Sequence, residues 1–483
     1  MIRHEHISRL QQSSFLGLGV VTVLSVLLAF KTGMLFLLSL PFVLLILAWG
    51  ILHYKSLYFF LLVMIPCSIE YYFSNGLATD LPTEPLMIGL MLITFALLAF
   101  KSEKLPPAFF LHPLILTLCF HYAWIFIAAL NSENFTVSIK IFLAKTWYIT
   151  TFTVLTALLI HHASDFKKMF WCIFIPLVLL TLLTNVRHAV LYQFSFSDVN
   201  KCVTPYFRNH VNYAAILSVF FPLILLARSW YAPGTWTRRL LTVSILFFVF
   251  AIYFSFTRTA MLALLAMIPF YFVLKWKLTR WLLLGVTAVT LLGMNFIMHD
   301  NHFMQYAPEF EATIYHDDFG SHVSSTFAGK DVSSMERVYR WVAALRMVEA
   351  RPWLGVGPGN FFDYYKPYAV SAFETYISEN EEHSTVHNYF LLMIVEQGGI
   401  GLFIFVLMTF AIFIYGQRIY THIQGEKNKM AVLCLMLLML SVFVNLLLSD
   451  MLETDKVGPF FFMGLALLVN LDCGVLDMEN ENE

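Results

Sequence analysis

The chain has 483 residues, 59% of them hydrophobic and only 13% charged, with a mean hydropathy of +0.73. A soluble domain carries about 25% charged residues, so this balance excludes an ordinary globular protein and indicates one embedded in a bilayer. A formal net charge of -1 lacks the basic footprint of a nucleic-acid binder, so the lipid bilayer, not nucleic acid, is the expected partner.

Taken in chain order, the first apolar run follows Arg3 and Arg9 without a small-residue cleavage site, which reads as a retained helix and not a signal peptide. Runs long enough to cross about 30 Å of hydrocarbon fall near 14–30, 33–52, 57–73, 83–100, 109–130, 145–162, 169–186, 210–228, 238–256, 259–276 and 281–298. Three more, near 388–415, 430–448 and 457–471, follow a long gap. The expected fold is therefore an all-α polytopic membrane protein of about 12–14 transmembrane helices. It divides into N-terminal helices (1–298), one large loop (299–386), C-terminal helices (387–472) and a disordered tail (473–483). Aromatics, at 17% with 48 Phe, suit lipid-facing surfaces and interfacial belts. The six cysteines are scattered without a CxxC pair, against a disulfide framework or zinc site.

Lys and Arg recur in alternate connections: Lys55, Lys101 and Lys104, Lys167 and Lys168, Arg238 and Arg239, Lys275 and Lys277, then Lys427 and Lys429. The opposite connections, such as SNGLATDLPTE, lack them. By the positive-inside rule both termini are cytoplasmic and the 299–386 loop lies outside.

Within that loop Ser333 and Glu336 have the spacing of a capping box, and Val338, Trp341, Val342, Leu345 and Val348 form a helical stripe. An amphipathic helix is expected over 334–350, ending at Arg351-Pro352 before the turn-rich PWLGVGPGN. Arg337 and Arg340 lie off the stripe.

The topology gathers Arg208, Arg258, Arg337 and His387 on the outer face. An arginine fork matches phosphate oxygens and keeps its charge, which suits a diphosphate. A nearby histidine can take a proton from an acceptor hydroxyl. Plainer roles compete: Arg258 as a snorkelling span end, Arg208 as a loop cation, Arg337 on a solvated helix face, His387 as an interfacial histidine. His383 and His387 are four apart beside Glu381 and Glu382, but the order is not HExxH and no third ligand is evident, so no metal is expected. Glu396, inside an apolar run, should be paired or face the protein interior. Gly398, Gly399 and Gly401 read most simply as permitting close helix packing.

The segment from His387 and Asn388 through nine residues to Gly398 and Gly401 resembles the His-[Asn/Ser/Gln]-x9-Gly-x-x-[Gly/Thr/Tyr] pattern of the O-antigen ligases. ERVYRWVAALRMVEARPWLGVGPGNFF, TRTAMLAL and FRNHVNYAA are similar to other elements of that superfamily, which includes the O-antigen polymerases. The link commonly reads Ser-Arg, where Thr257 stands here, and Asn209-His210-Val211-Asn212 matches the Asn-x-x-Asn element in part. The resemblance covers roughly residues 200–410. It implies a GT-C-type, metal-independent glycosyltransferase of the bacterial inner membrane, without a cofactor, with its active face periplasmic. The donor would be an undecaprenyl diphosphate-linked glycan and the acceptor a sugar hydroxyl of lipid A–core. By the same resemblance His387 is the candidate base or acceptor-positioning group. Arg258 and Arg337 would contact the diphosphate, with Arg208, Asn388 and His383 as further substrate-binding candidates. Polysaccharide polymerisation and protein O-oligosaccharyl transfer are alternatives within the superfamily. A transporter, a different class, fits less well because the early spans hold almost no charge.

Overall fold

The computed structural model describes residues 19–33, 52–72, 78–100, 106–299, 332–370 and 385–479, with isolated positions 38, 41 and 50. Among the described residues nine helices are long and apolar enough to cross a membrane, and four shorter apolar helices accompany them. The chain is thus an all-α polytopic membrane protein. In order they are α1 (Gly19–Thr32), α2 (Tyr54–Cys67), α3 (Thr83–Phe100), α4 (Pro113–Leu130) and α5 (Phe135–Leu159). There follow α6 (Ala163–Tyr192), α7 (His210–Ser229), α8 (Trp236–Phe254), α9 (Arg258–Lys275) and α10 (Thr279–Met298). After the loop helix α11 (Val332–Ala350) come α12 (Tyr389–His422), α13 (Glu426–Leu446) and α14 (Gly458–Asp472).

Most expected spans agree with these helices to within a few residues. The 33–52 span lies largely outside the described residues. The 145–162 span differs most: α5 starts ten residues earlier, at Phe135, capped by the Asn134 side chain, which accepts from Val137 N at 3.4 Å. Lys145, expected at a span end, therefore sits inside the helix and is buried. The 57–73 span ends early, at Cys67, and beyond it Ile69–Tyr72 (β1) and Ala78–Leu81 (β2) pair antiparallel.

The core lies where α7, α13 and α14 meet. In their best membrane-length windows α7 is 72% and α13 78% buried, whereas α10 is only 6% buried and lies at the edge of the bundle. Where helices press together in hydrocarbon, small polar side chains hold them better than further apolar contact. Accordingly Ser218 of α7 meets Ser441 Oγ and Asn445 Nδ2 of α13, each at 3.2 Å.

The tail was expected to be disordered from 473. As far as Glu479 it is instead packed: Leu476 and Met478 are buried, and Asp477 accepts from Asn428 Nδ2 at 2.8 Å.

Candidate active site

The site is built on a break in α12. Gly398 has φ 71° and ψ -178°, which only glycine adopts readily, and the helix changes direction there. A break frees carbonyls that would otherwise accept from the next turn, and each must find another donor. Val395 O accepts from Val356 N and Glu396 O from Gly357 N, both at 2.9 Å, while Gln397 O accepts from Trp124 Nε1 at 3.0 Å. In return Gly399 N donates to Pro352 O at 2.7 Å. The turn Pro352–Asn360 is thereby laced into the opened helix. A side chain at Gly398 would run into the Trp353 carbonyl, so the glycines do more than admit a close helix neighbour.

Glu396 completes this anchor. Its buried carboxylate accepts from Gly359 N at 2.8 Å and Phe361 N at 3.2 Å, so it faces the interior and is satisfied. Across the turn, Ser138 Oγ donates to Pro358 O at 2.7 Å, and Arg351 pairs with Glu133 at the α4–α5 connection.

Helix α11 lies against α12, with Trp341 Nε1 donating to Val386 O at 3.0 Å. The sequence expectation was correct about the helix but not its inner face. The buried row is Glu336, Tyr339, Arg340, Val342, Ala343, Ala344 and Met347; of the expected stripe only Val342 belongs to it, whereas Val338, Trp341, Leu345 and Val348 are half-buried. A buried ion pair explains the rotation: Arg340 Nη2 lies 3.1 Å from Glu336 Oε2 one turn before it. Glu336 thus faces Arg340; the helix begins at Val332, and the Ser333 side chain of the expected capping box lies outside the described residues.

His387 stands immediately before α12 in the left-handed region, at φ 56°. It is half-buried, and among the described residues its ring makes no hydrogen bond. Burial first, then the positive charges of Arg340 and Arg337, push its pKa down to about 3, so the imidazole is neutral at neutral pH. The structure thus brings Arg337 and His387 together. Asn388 caps α12: its Oδ1 accepts from Leu391 N at 3.0 Å and its Nδ2 donates to Leu447 O at 2.9 Å, so both ends of this side chain are engaged within the protein. His383 lies outside the described residues.

Arg208 is exposed and lies close enough to Asp450 to act on it, as does Arg340. Asp450 also accepts from Thr385 Oγ1, two residues before His387, and burial raises its pKa despite these partners. Arg258 opens α9 at the same end of the bundle and is half-buried. Its neighbour Thr257 donates to His210 O at 3.3 Å, joining the start of α9 to the start of α7 two residues after Arg208. Arg208 and Arg258 therefore lie on neighbouring elements of one face, and Asp450 links that face to the segment that carries His387.

Sequence reasoning missed Arg340 as a partner of the site, Asp450, and a trio in which buried Lys145 and Tyr389 meet half-buried Glu453. Lys145 Nζ lies 2.5 Å from Glu453 Oε1 and 3.1 Å from Tyr389 Oη, which itself donates to Glu453 at 2.6 Å. Lys456 likewise donates to Ile65 O at 2.8 Å and to Ser68 O at 3.1 Å, closing the end of α2. Lys145 and Glu453 are over three hundred positions apart, and only an acidic loop after α13 hinted at the partner.

Among the described residues no three His, Cys, Asp or Glu side chains converge as a metal site would require. A family model described as O-antigen ligase matches residues 242–406, from α8 through the loop to the first half of α12. No curated protein matches the chain.

Proposed function

From the match of residues 242–406 to a family model described as O-antigen ligase, we propose that this chain transfers a glycan from undecaprenyl diphosphate to a sugar hydroxyl of lipid A–core at the periplasmic face of the bacterial inner membrane. The observation that carries the reading is His387: a neutral imidazole, without a hydrogen bond among the described residues, held by an unusual backbone angle in the field of two arginines.

In the proposed reaction the acceptor oxygen attacks the anomeric carbon. The bond from that carbon to the diphosphate oxygen breaks, and the diphosphate departs with the bonding pair. Arg337 and Arg258 bind its oxygens, with Arg208 at the rim, and fixed guanidinium charge stabilises the leaving group without a metal. His387 accepts a hydrogen bond from the acceptor hydroxyl and then its proton. A base with a pKa near 3 is weak at neutral pH. Burial is the larger cause of the depression, but binding a diphosphate to Arg337 offsets the arginine charge that adds to it, so donor occupancy raises the basicity of His387 before transfer. Asn388 acts by positioning, since it fixes the first turn of α12 beside His387.

The test is complementation of cells lacking the gene, with lipid A–core, carrier-linked glycan and glycoproteins assayed together. Bare lipid A–core alongside intact carrier-linked polymer in the null strain, restored by the native chain and not by His387→Ala, is the expected result. Single repeat units in place of chains would make the protein a polymerase, and missing protein glycans an oligosaccharyltransferase. No change in any of the three would overturn transfer altogether.

A further inference from the structure

At the end of the bundle away from His387, the α9–α10 and α12–α13 turns enclose an open cleft of ≈ 430 Å³. That volume lies within the roughly 300–1,000 Å³ of small-molecule sites. Three lysines line it, Lys275, Lys277 and Lys429, against one acid, Glu426. Among the described residues none of the three lysines is ion-paired. Two ammonium groups are placed over aromatic faces of the same cleft: Lys275 Nζ lies 6.0 Å from the Tyr271 ring and Lys429 Nζ 5.4 Å from the Tyr420 ring. Leu274 and Leu433 supply apolar wall. Beside the cleft, the start of α10 is tied to α12 by Thr279 N donating to Gln417 Oε1 at 3.0 Å.

Its surroundings are those of a lipid surface. Helix α10, which begins at this rim, is the barest of the long spans, and Trp276 and Trp281 stand exposed on either side of its start, as aromatics do at a bilayer interface. A pocket of ammonium groups with an apolar wall, opening beside a lipid-facing helix, matches an anionic phospholipid: phosphate on the lysines, glycerol and upper chain on the leucines.

We infer that this cleft is a binding site for the headgroup of an anionic phospholipid. It lies at the opposite end of the bundle from the proposed transfer site and does not rest on that reading.

The experiment is native mass spectrometry of the detergent-purified full chain, titrated with phosphatidylglycerol or phosphatidylcholine. The native chain should retain phosphatidylglycerol in preference to phosphatidylcholine. The Lys275→Gln/Lys277→Gln/Lys429→Gln variant should retain it about a hundredfold more weakly, from the typical worth of a surface lysine near anionic lipid. Glu426→Gln removes the one acid and should strengthen retention, a gain that misfolding cannot mimic. Equal retention of both lipids, no loss in the triple variant, or no gain in Glu426→Gln would overturn the site. Displacement of the lipid by inorganic phosphate at the lipid's own concentration would make it a site for soluble phosphate and overturn the lipid assignment.

Discussion

His387→Ala should lower transfer by about 10²–10⁴-fold, the usual worth of a positioned proton acceptor. The folded chain should persist, because the side chain is only half-buried and makes no hydrogen bond among the described residues. Wild-type transfer by a well-expressed variant would end its assignment. Lysine in place of Arg258 or Arg337 keeps the charge but loses the fork, so each should still cost about 10–100-fold, one charged hydrogen bond's worth. Full activity in both would remove the diphosphate from these positions. The depressed pKa of His387 also fixes a pH dependence. Between about 6.5, where an unfolded histidine titrates, and about 3, the unfolded chain holds a proton that the folded chain lacks. Stability therefore falls as pH drops through that window. Thermal melts of His387→Asn should show a shallower fall. If donor binding relieves the arginine field, the acid limb of kcat should sit at higher pH than that of kcat/KM.

At the scale of elements, what was legible in the sequence followed from how local its cause was. Spans such as 210–228 and 83–100 were readable because lipid imposes length and apolarity on each helix alone. Helix α11 was readable as a helix, but its inner face was not. Glu336 had been read as part of a capping box and Arg340 as lying off the apolar stripe, and the burial of each depends on the other. Lys145 was misplaced for the same reason, since its partner Glu453 arrives from another helix pair. The glycines of α12 were seen, but their purpose was not, because a break is useful only with the 352–360 turn in place. Gly398→Ala should therefore destabilise the fold by at least about 1 kcal/mol from backbone strain alone, and it should release that turn. Lower melting temperature with faster proteolysis between 350 and 361 would show it; an unchanged digestion pattern would contradict the docking.

Over the molecule as a whole, the buried charge among the described residues is held in contacts such as Glu336–Arg340 and Glu396 with its backbone donors, while α7, α13 and α14 form the apolar centre. The end that carries His387 joins contributions from α7, α9, α11, α12 and the α13–α14 turn, so the arginines and His387 depend on the full bundle for their arrangement. If arginines alone neutralise the leaving group, prolonged treatment with a chelator should leave transfer unchanged. Strong inhibition, reversed by added divalent metal, would instead bring His383 and His387 back as ligands.

The break at Gly398 and the cap at Asn388 bound nine helical residues, Tyr389 to Gln397. Nine residues are two and a half turns, and each residue carries about 100° of rotation and 1.5 Å of rise. One end of this short rod is clamped by the 352–360 turn, and the other carries His387. The interval is thus an angular setting as much as a distance. One residue added or removed would swing the imidazole by more than a quarter of a circle away from Arg337, with every side chain of the site still present.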